Sequence, residues 1–308
     1  RTDIPAFYTE WFINCIRRGS FCYRNPMNPV QILRVPLSAN NVDCIVFWTK
    51  DAKNIMKYLP ELDKNGYKYY FQFTITPYDK DIEGNIRNKK DIIETFKELS
   101  LKIGKEKIIY RYDPILITDK YSVDFHIKAF EFTVSKLADY TESVVISFMD
   151  DYRKISSNMK MLKVKEFTEA DMIKIADNFS KITKQHNLKL MTCAEQINFE
   201  NFGIEKSKCI DGDLIEKIIG CEITHKNTKY DKQRTACGCI QCIDMGNYDT
   251  CIHGCLYCYA NVNKQKAKEN FKLHNPKSEI LSGNILNEKI INKKDTESFK
   301  KEPTLFGL

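Results

Sequence analysis

A chain of 308 residues is long enough to bury one large α/β core or two smaller ones. Its 43% hydrophobic and 29% charged residues suit a soluble globular protein, and no run of about 18 apolar residues offers a membrane span. The net charge of +7 comes mostly from dispersed lysines and reads as a solvated surface, so nucleic acid is permitted as a partner but not indicated.

The opening R-T-D-I-P lacks the basic-then-apolar order of a signal peptide. A helix follows Asp3 and Pro5, with Tyr8, Trp11, Phe12, Cys15 and Ile16 at helical spacing until Gly19. Five strands are expected at 43–48, 68–75, 107–112, 143–148 and 188–193, each rich in β-branched or aromatic residues and nearly continuous in apolar character. Helical patterns at 87–103, 122–138 and 168–185 lie between them. Such alternation argues for parallel strands with helical crossovers. A sixth strand is expected just ahead of Arg1, which makes a (β/α)6-type partial or full TIM-like barrel over residues 1–204. An open doubly wound sheet is the alternative, weakened because no Gly-rich phosphate fingerprint follows any strand. Residues 205–285 form a Cys-rich extension expected to pack on the barrel mouth. Residues 286–308 read as a loosely held polar tail.

In βα barrels the chemistry lies at the C-terminal strand ends. The pairs Arg1/Asp3, Arg111/Asp113 and Cys193/Glu195, together with Lys50, stand there and are site candidates. Thr74, Thr76, Asp150 and Asp151 read as ordinary polar loop starts.

Twelve cysteines are present, nine of them between Cys193 and Cys258. Without an export signal, such clustering indicates metal or iron–sulfur ligation in a reducing cytoplasm rather than a disulfide scaffold. Cys251, Cys255 and Cys258 stand at x3 and x2 spacing in C-I-H-G-C-L-Y-C-Y-A-N. Three thiolates can hold three irons of a [4Fe–4S] cluster and leave the fourth open to a small molecule. This is the spacing of radical S-adenosylmethionine enzymes, and it is preferred here over a zinc site completed by His253. Gly254 would let the loop turn tightly. Cys193, Cys209, Cys237 and Cys239 are candidates for a second site, an auxiliary cluster or zinc, while Cys221 and Cys242 look like spares.

R-T-D-I-P-A-F-Y, V-F-W-T-K, R-Y-D-P-I, T-C-A-E, D-K-Q-R-x-x-C-G-C and D-M-G-N-Y-D-T-C-I-H-G-C-L-Y-C-Y-A-N together resemble a bacterial family of uncharacterised proteins. That family is marked by a C-terminal cysteine cluster like the N-terminal one of radical S-adenosylmethionine enzymes. The resemblance implies a cluster type and a barrel fold, a strand ahead of Arg1, and no particular substrate. It includes Cys193, Cys209, Cys237, Cys239, Cys251, Cys255 and Cys258. Members of the wider superfamily carry the three cysteines after the first strand and a Gly-rich stretch after the second, whereas here the loop follows the whole barrel.

The expectation is therefore a cytoplasmic, oxygen-sensitive enzyme that cleaves S-adenosylmethionine reductively to a 5′-deoxyadenosyl radical and modifies an unknown substrate. A donor such as flavodoxin or ferredoxin would reduce it. Cys251, Cys255 and Cys258 would hold the cluster and Tyr257 would pack beside it. Arg1, Asp3 and Glu195 would line the cofactor pocket, and Lys50, Arg111 and Asp113 would face the chemistry. The rival is a zinc- or cluster-stabilised nucleic-acid-binding protein without catalysis, in which the aromatic Y-C-Y run stacks on bases.

Overall fold

The structure is a computed structural model and describes residues 2–25, 28–150, 153–193, 195, 197–224, 237–261, 263–285, 288–293 and 298–301. Asp3 caps α1 (Ile4–Phe7) by accepting from Ala6 N at 3.1 Å, with Pro5 in the first turn. Next is α2 (Thr9–Arg18), stopped by Gly19 at a φ of 78° that a residue without Cβ adopts freely. The single helix expected here is thus two, interrupted at Tyr8, whose hydroxyl donates to Thr250 O at 2.7 Å.

Two strands that the sequence reading did not anticipate follow, β1 (Ser20–Asn25) and β2 (Asn28–Pro36). Then come β3 (Ile45–Thr49), α3 (Leu59–Lys64), β4 (Tyr69–Thr74), α4 (Lys89–Ile103), β5 (Ile108–Ile115), α5 (Val123–Leu137) and β6 (Ser143–Phe148). The remainder holds α6 (Ser156–Met161), α7 (Glu169–Gln185), β7 (Lys189–Thr192), β8 (Glu205–Lys206), α8 (Gly212–Ile219), α9 (Lys264–Lys272) and β9 (Lys289–Asn292). The long helices start at side-chain caps: Asn88 for α4, Ser122 for α5, and a Thr168–Asp171 capping box for α7, each worth about 1 kcal/mol.

A six-stranded, all-parallel sheet runs β3-β4-β5-β6-β7-β8. The order follows the chain without reversal, so it lacks the switch point of a doubly wound sheet. Crossovers of one hand then put the helices on one face. The side chains agree with this. Tyr69, Phe71 and Phe73, Ile108, Tyr110 and Tyr112, and Val144, Ile146 and Phe148 join one core with Phe96 of α4, Phe130 of α5 and Phe179 of α7. Their strand neighbours Tyr70, Ile109 and Val145 point the other way, into a smaller core with Ile215 of α8, Ile223 and Ile240. Strand periodicity of two thus divides each strand between a helix-covered face and an inner face.

The five expected strands are all present, and β8 follows β7 as a further strand; the strand expected ahead of Arg1 lies outside the described residues. The sheet is not a closed barrel: among the described residues β3 and β8 are its two edges. A cavity of about 730 Å³ runs beside β3, lined from Thr2 down past Trp48 and Val46 and faced by Ile210, Ile215 and Ile240. A second sheet, β1-β2-β9, pairs β1 with β2 antiparallel and β2 with β9 parallel, so part of the expected polar tail is a strand. No helix among the described residues is long and apolar enough to cross a membrane.

His126 of α5 is fully buried; its Nδ1 meets Tyr112 OH at 2.7 Å and its Nε2 meets Leu116 O at 2.9 Å, tying helix to strand. Burial pushes its pKa down from 6.5 to about 4 despite the bond to Leu116. Between those values the unfolded chain binds the proton and the folded one does not, so stability falls as pH drops through that window. Denaturant unfolding should lose about 2 kcal/mol more between pH 7 and pH 5 in the wild type than in His126→Gln. Equal losses would show that His126 is not buried neutral.

Candidate functional site

The C-terminal ends of the parallel strands carry a continuous polar layer on the inner face. Its centre is Arg111 of β5, 1% exposed. Arg111 donates from Nε and Nη2 to Asp113 Oδ2 at 2.9 and 2.6 Å, and from Nη1 to Gln72 Oε1 at 3.2 Å and to Cys209 Sγ at 3.3 Å. The guanidinium lies 4.7 Å from the ring centroid of Trp48. Burial works against its charge, but Cys209, Asp113 and Cys193 outweigh that and hold it protonated. Ser147 of β6 donates to Asp113 Oδ1.

Below Arg111 lies the first cysteine group. Cys193 and Cys209 are 3.2 Å apart, and Cys239 Sγ accepts from Ile210 N at 3.3 Å and hydrogen-bonds Cys209. The bond with Cys209 and burial both raise the Cys193 pKa. Cys237 is half-buried, two residues before Cys239. Three of the four residues expected at a second metal site therefore come together, on the inner face at the end of β7.

Asp3 joins the second cysteine group to the sheet. Its Oδ1 accepts from Ala6 N at 3.1 Å and Thr49 Oγ1 at 2.7 Å; its Oδ2 accepts from Lys50 N and meets His253 Nε2, both at 2.7 Å. These four bonds tie α1, the end of β3 and the loop of Cys251, Cys255 and Cys258 to one carboxylate. His253 also packs on Phe7, with ring centroids 4.5 Å apart. The segment after β4 holds the loop from another side: Asn85 N donates to His253 O at 2.9 Å, Asn85 Nδ2 to Ile252 O at 2.7 Å, and Leu256 N to Ile82 O at 3.0 Å. Asn158 of α6 donates to Leu256 O at 2.9 Å. Gly254 has a φ of 73°, and a Cβ there would meet Asn85 Nδ2 at 3.1 Å, which accounts for glycine at the turn.

These contacts bury Cys255 and leave Cys251 and Cys258 half-buried. Desolvation raises the Cys251 pKa, and the charges of Asp3, Cys258 and Cys255 raise it further. Burial pushes Cys255 up to about 12 although Lys50 draws it down. Three thiolates here need cations to offset them. Among the described residues no set of three or more His, Cys, Asp or Glu side chains converges on one metal-ion position. A multi-iron cluster does not require that, because each thiolate takes its own iron, whereas a shared zinc with 2.3 Å bonds brings sulfurs to roughly 3.8 Å. Thiols are a donor type that both iron–sulfur clusters and zinc take.

Residues 1–260 match the family described as "Domain of unknown function (DUF1848)". The chain belongs to that family. No curated protein and no solved structure matches it significantly. The match takes in all six strands of the parallel sheet and the whole Cys251–Cys258 loop of this DUF1848 chain.

Between the cysteine loop and the strand ends lies a buried ionic network that sequence reasoning missed. Glu83, with no exposed side-chain surface, accepts from Lys50 Nζ at 2.8 Å and Thr76 Oγ1 at 2.7 Å on Oε1, which also receives Tyr257 OH; Lys89 Nζ bonds Oε2. Its backbone bridges Cys255 in antiparallel fashion. Burial alone would push the Glu83 carboxyl up, but Lys50 and Lys89 more than offset this and hold it at about 2. Lys50 keeps its proton more firmly than usual, because Glu83 and Cys255 outweigh its burial. Its ammonium lies 5.5 Å from the Tyr257 ring centroid.

The other expected site residues divide. Arg1 lies outside the described residues. Asp3, expected to line the cofactor pocket, has both oxygens engaged by protein donors. Glu195 accepts from Phe148 N at 2.9 Å, and burial, with Asp150, Cys193 and Asp113 nearby, raises its carboxyl to about 7. Lys50 and Asp113 keep some exposed side-chain surface, 14% and 20%, whereas Arg111 has 2%.

Two substitutions test the loop's anchoring. Glu83→Gln leaves Lys50 buried without a counter-charge and should cost about 3–5 kcal/mol in urea unfolding at pH 7. Because the folded pKa is depressed, Glu83 stabilises above about pH 4.5 and that contribution fades toward pH 2, so the wild-type advantage should shrink on acidification. Gly254→Ala should lose about 1–2 kcal/mol, the cost of a left-handed alanine; unchanged stability would mean the turn relaxes without strain.

Proposed function

We propose that this DUF1848 protein is an iron–sulfur enzyme of the radical S-adenosylmethionine type, acting on an unidentified substrate. The observation that carries the reading is the loop in which Cys251, Cys255 and Cys258 stand at x3 and x2 spacing, anchored to the end of β3 through Asp3 and to the segment after β4 through Glu83. The same residues fit three irons of a [4Fe–4S] cluster, the fourth being left without a protein ligand. When bound, such a cluster supplies the electron that cleaves S-adenosylmethionine and yields a 5′-deoxyadenosyl radical.

The chain's own residues would prepare this place in stated ways. Lys50 and Lys89 together exceed the charge of Glu83 by one, and that surplus stands beside Cys255, where it offsets thiolate charge. Tyr257, almost fully buried, keeps water from the loop, and its hydroxyl is fixed by Glu83. Asp113 and Lys50 present their charges at the strand ends toward a ligand, while Arg111 holds Asp113, Gln72 and Cys209 in place. The unreversed strand order supports a partial (β/α)6, TIM-like barrel as the scaffold. Cys193, Cys209 and Cys239, with Cys237, would hold an auxiliary cluster or zinc. A cytoplasmic setting with a flavodoxin or ferredoxin donor completes the reading.

Electron paramagnetic resonance on anaerobically purified, dithionite-reduced protein tests it. The reduced [4Fe–4S] signal should change shape on adding S-adenosylmethionine, and Cys255→Ala should lose that change and release no 5′-deoxyadenosine. Zinc in place of iron would overturn the reading and give the lead to a metal-stabilised binding protein.

A further inference from the structure

The long helices of this protein nearly balance their charges. α5 carries two lysines against two acidic residues, α7 three against three, and α4 four against three. The helix after the cysteine loop does not. α9 carries Lys264, Lys266, Lys268 and Lys272 against Glu269 alone. With Lys277 just beyond it, residues 263–277 hold a net +4 of the chain's +7. All five lysines are exposed, and none forms an ion pair among the described residues. Glu269 accepts instead from Gln265 Nε2 at 3.0 Å. Lys264, Lys268 and Lys272 follow at four-residue spacing, which sets like charges side by side and weakens the helix. Solvation alone does not call for this, as the balanced faces of α5 and α7 show.

The helix is also held against the cysteine loop. Asn263 caps it five residues after Cys258, accepting from Gln265 N at 2.9 Å and Lys266 N at 3.1 Å. Asn270 Nδ2 donates to Asp249 O at 2.8 Å. The Phe271 ring lies 6.1 Å from Phe7, whose own ring packs on His253. The lysine face is therefore a fixed surface beside the loop, with Leu273, 69% exposed, at its end.

We propose, resting on the function proposed above, that α9 is the docking surface for the electron donor, a one-electron carrier protein with an acidic face. The carrier loses one electron and the cluster gains it, with no bond made or broken. Lysines suit such a brief encounter, because their charge speeds association without fixing a tight complex. Nucleic acid is the poorer fit, since the exposed residues of α9 include no aromatic ring for a base to stack on.

The test is anaerobic stopped-flow reduction of the iron-loaded protein by reduced flavodoxin, an acidic one-electron carrier, followed by loss of visible cluster absorbance. The triple variant Lys264→Glu, Lys268→Glu, Lys272→Glu should be reduced at least about tenfold more slowly at low ionic strength. Added salt should slow the wild type but not the variant. The matching triple glutamine variant, whose helix propensity is kept, should lose about threefold, and it decides the matter if the glutamate variant does not fold. Dithionite should give both variants the wild-type electron paramagnetic resonance signal. If flavodoxin reduces the variants as fast as the wild type, the inference fails while the cluster reading stands. If the variants lose binding to single-stranded DNA and keep reduction by flavodoxin, the face belongs to nucleic acid and the inference also fails. Wild type in which dithionite raises no [4Fe–4S] signal overturns the cluster reading and this inference with it.

Discussion

One carboxylate sets the geometry of this molecule's working end. Asp3 caps the first helix, binds the hydroxyl of Thr49 and the amide of Lys50 where β3 ends, and meets His253 inside the cysteine loop. With four donors on two oxygens and 7% exposure, the group is buried and satisfied, the condition under which a buried charge becomes rigid rather than costly. Remove it and three elements lose a common reference point. The loop would keep its contacts with Asn85 and Glu83 but no longer have a fixed position over the end of β3.

The second constraint is the division of each strand into two faces. The helix-covered face is filled by aromatic residues such as Phe71, Tyr110 and Phe148, and it can be rigid because nothing polar is asked of it. The inner face changes character along its length. Toward the N-terminal ends it is apolar, with Tyr70, Ile109 and Val145 against α8. Toward the C-terminal ends it becomes Gln72, Arg111, Asp113 and Ser147. The apolar lower half closes off water beneath Arg111, so the charges above it interact through protein rather than solvent, and Arg111 can hold both Asp113 and Cys209 without being washed apart.

Much of the fold was legible because buried parallel strands announce themselves as short, continuous apolar runs. All five expected strands are β3 to β7, and the helices between them start at caps that the sequence displays. What was not legible has physical reasons. β8 is two residues long, and β9 lies in a lysine- and asparagine-rich stretch whose pairing depends on β2, more than 250 positions away. Closure of the barrel is a property of strand count and tilt, which no local pattern encodes. In the site, cysteine spacing made the Cys251–Cys258 loop visible, but Glu83 sits in D-K-D-I-E-G-N, a run that reads as solvated loop. Only the fold reveals that it is buried under two lysines. The Asp3–His253 contact joins residues 250 positions apart, and no spacing rule reaches that far.

Those two long-range contacts bear on why a late loop can serve a site built from the start of the chain. The loop brings thiols and an aromatic ring, but its counter-charges come from elsewhere: Lys50 from the end of β3 and Lys89 from the start of α4, while Asp3, from before α1, holds His253. Each belongs to an element already fixed by the main core, so the loop docks onto charges that are in place before it arrives. A loop that carried its own lysines would pair them internally and gain nothing from docking. Because the thiols and the cations lie on separate segments, the buried Cys255 gains the charges of Lys50 and Lys89 only when the loop is seated, and a metal that requires thiolates would then bind only to the folded protein.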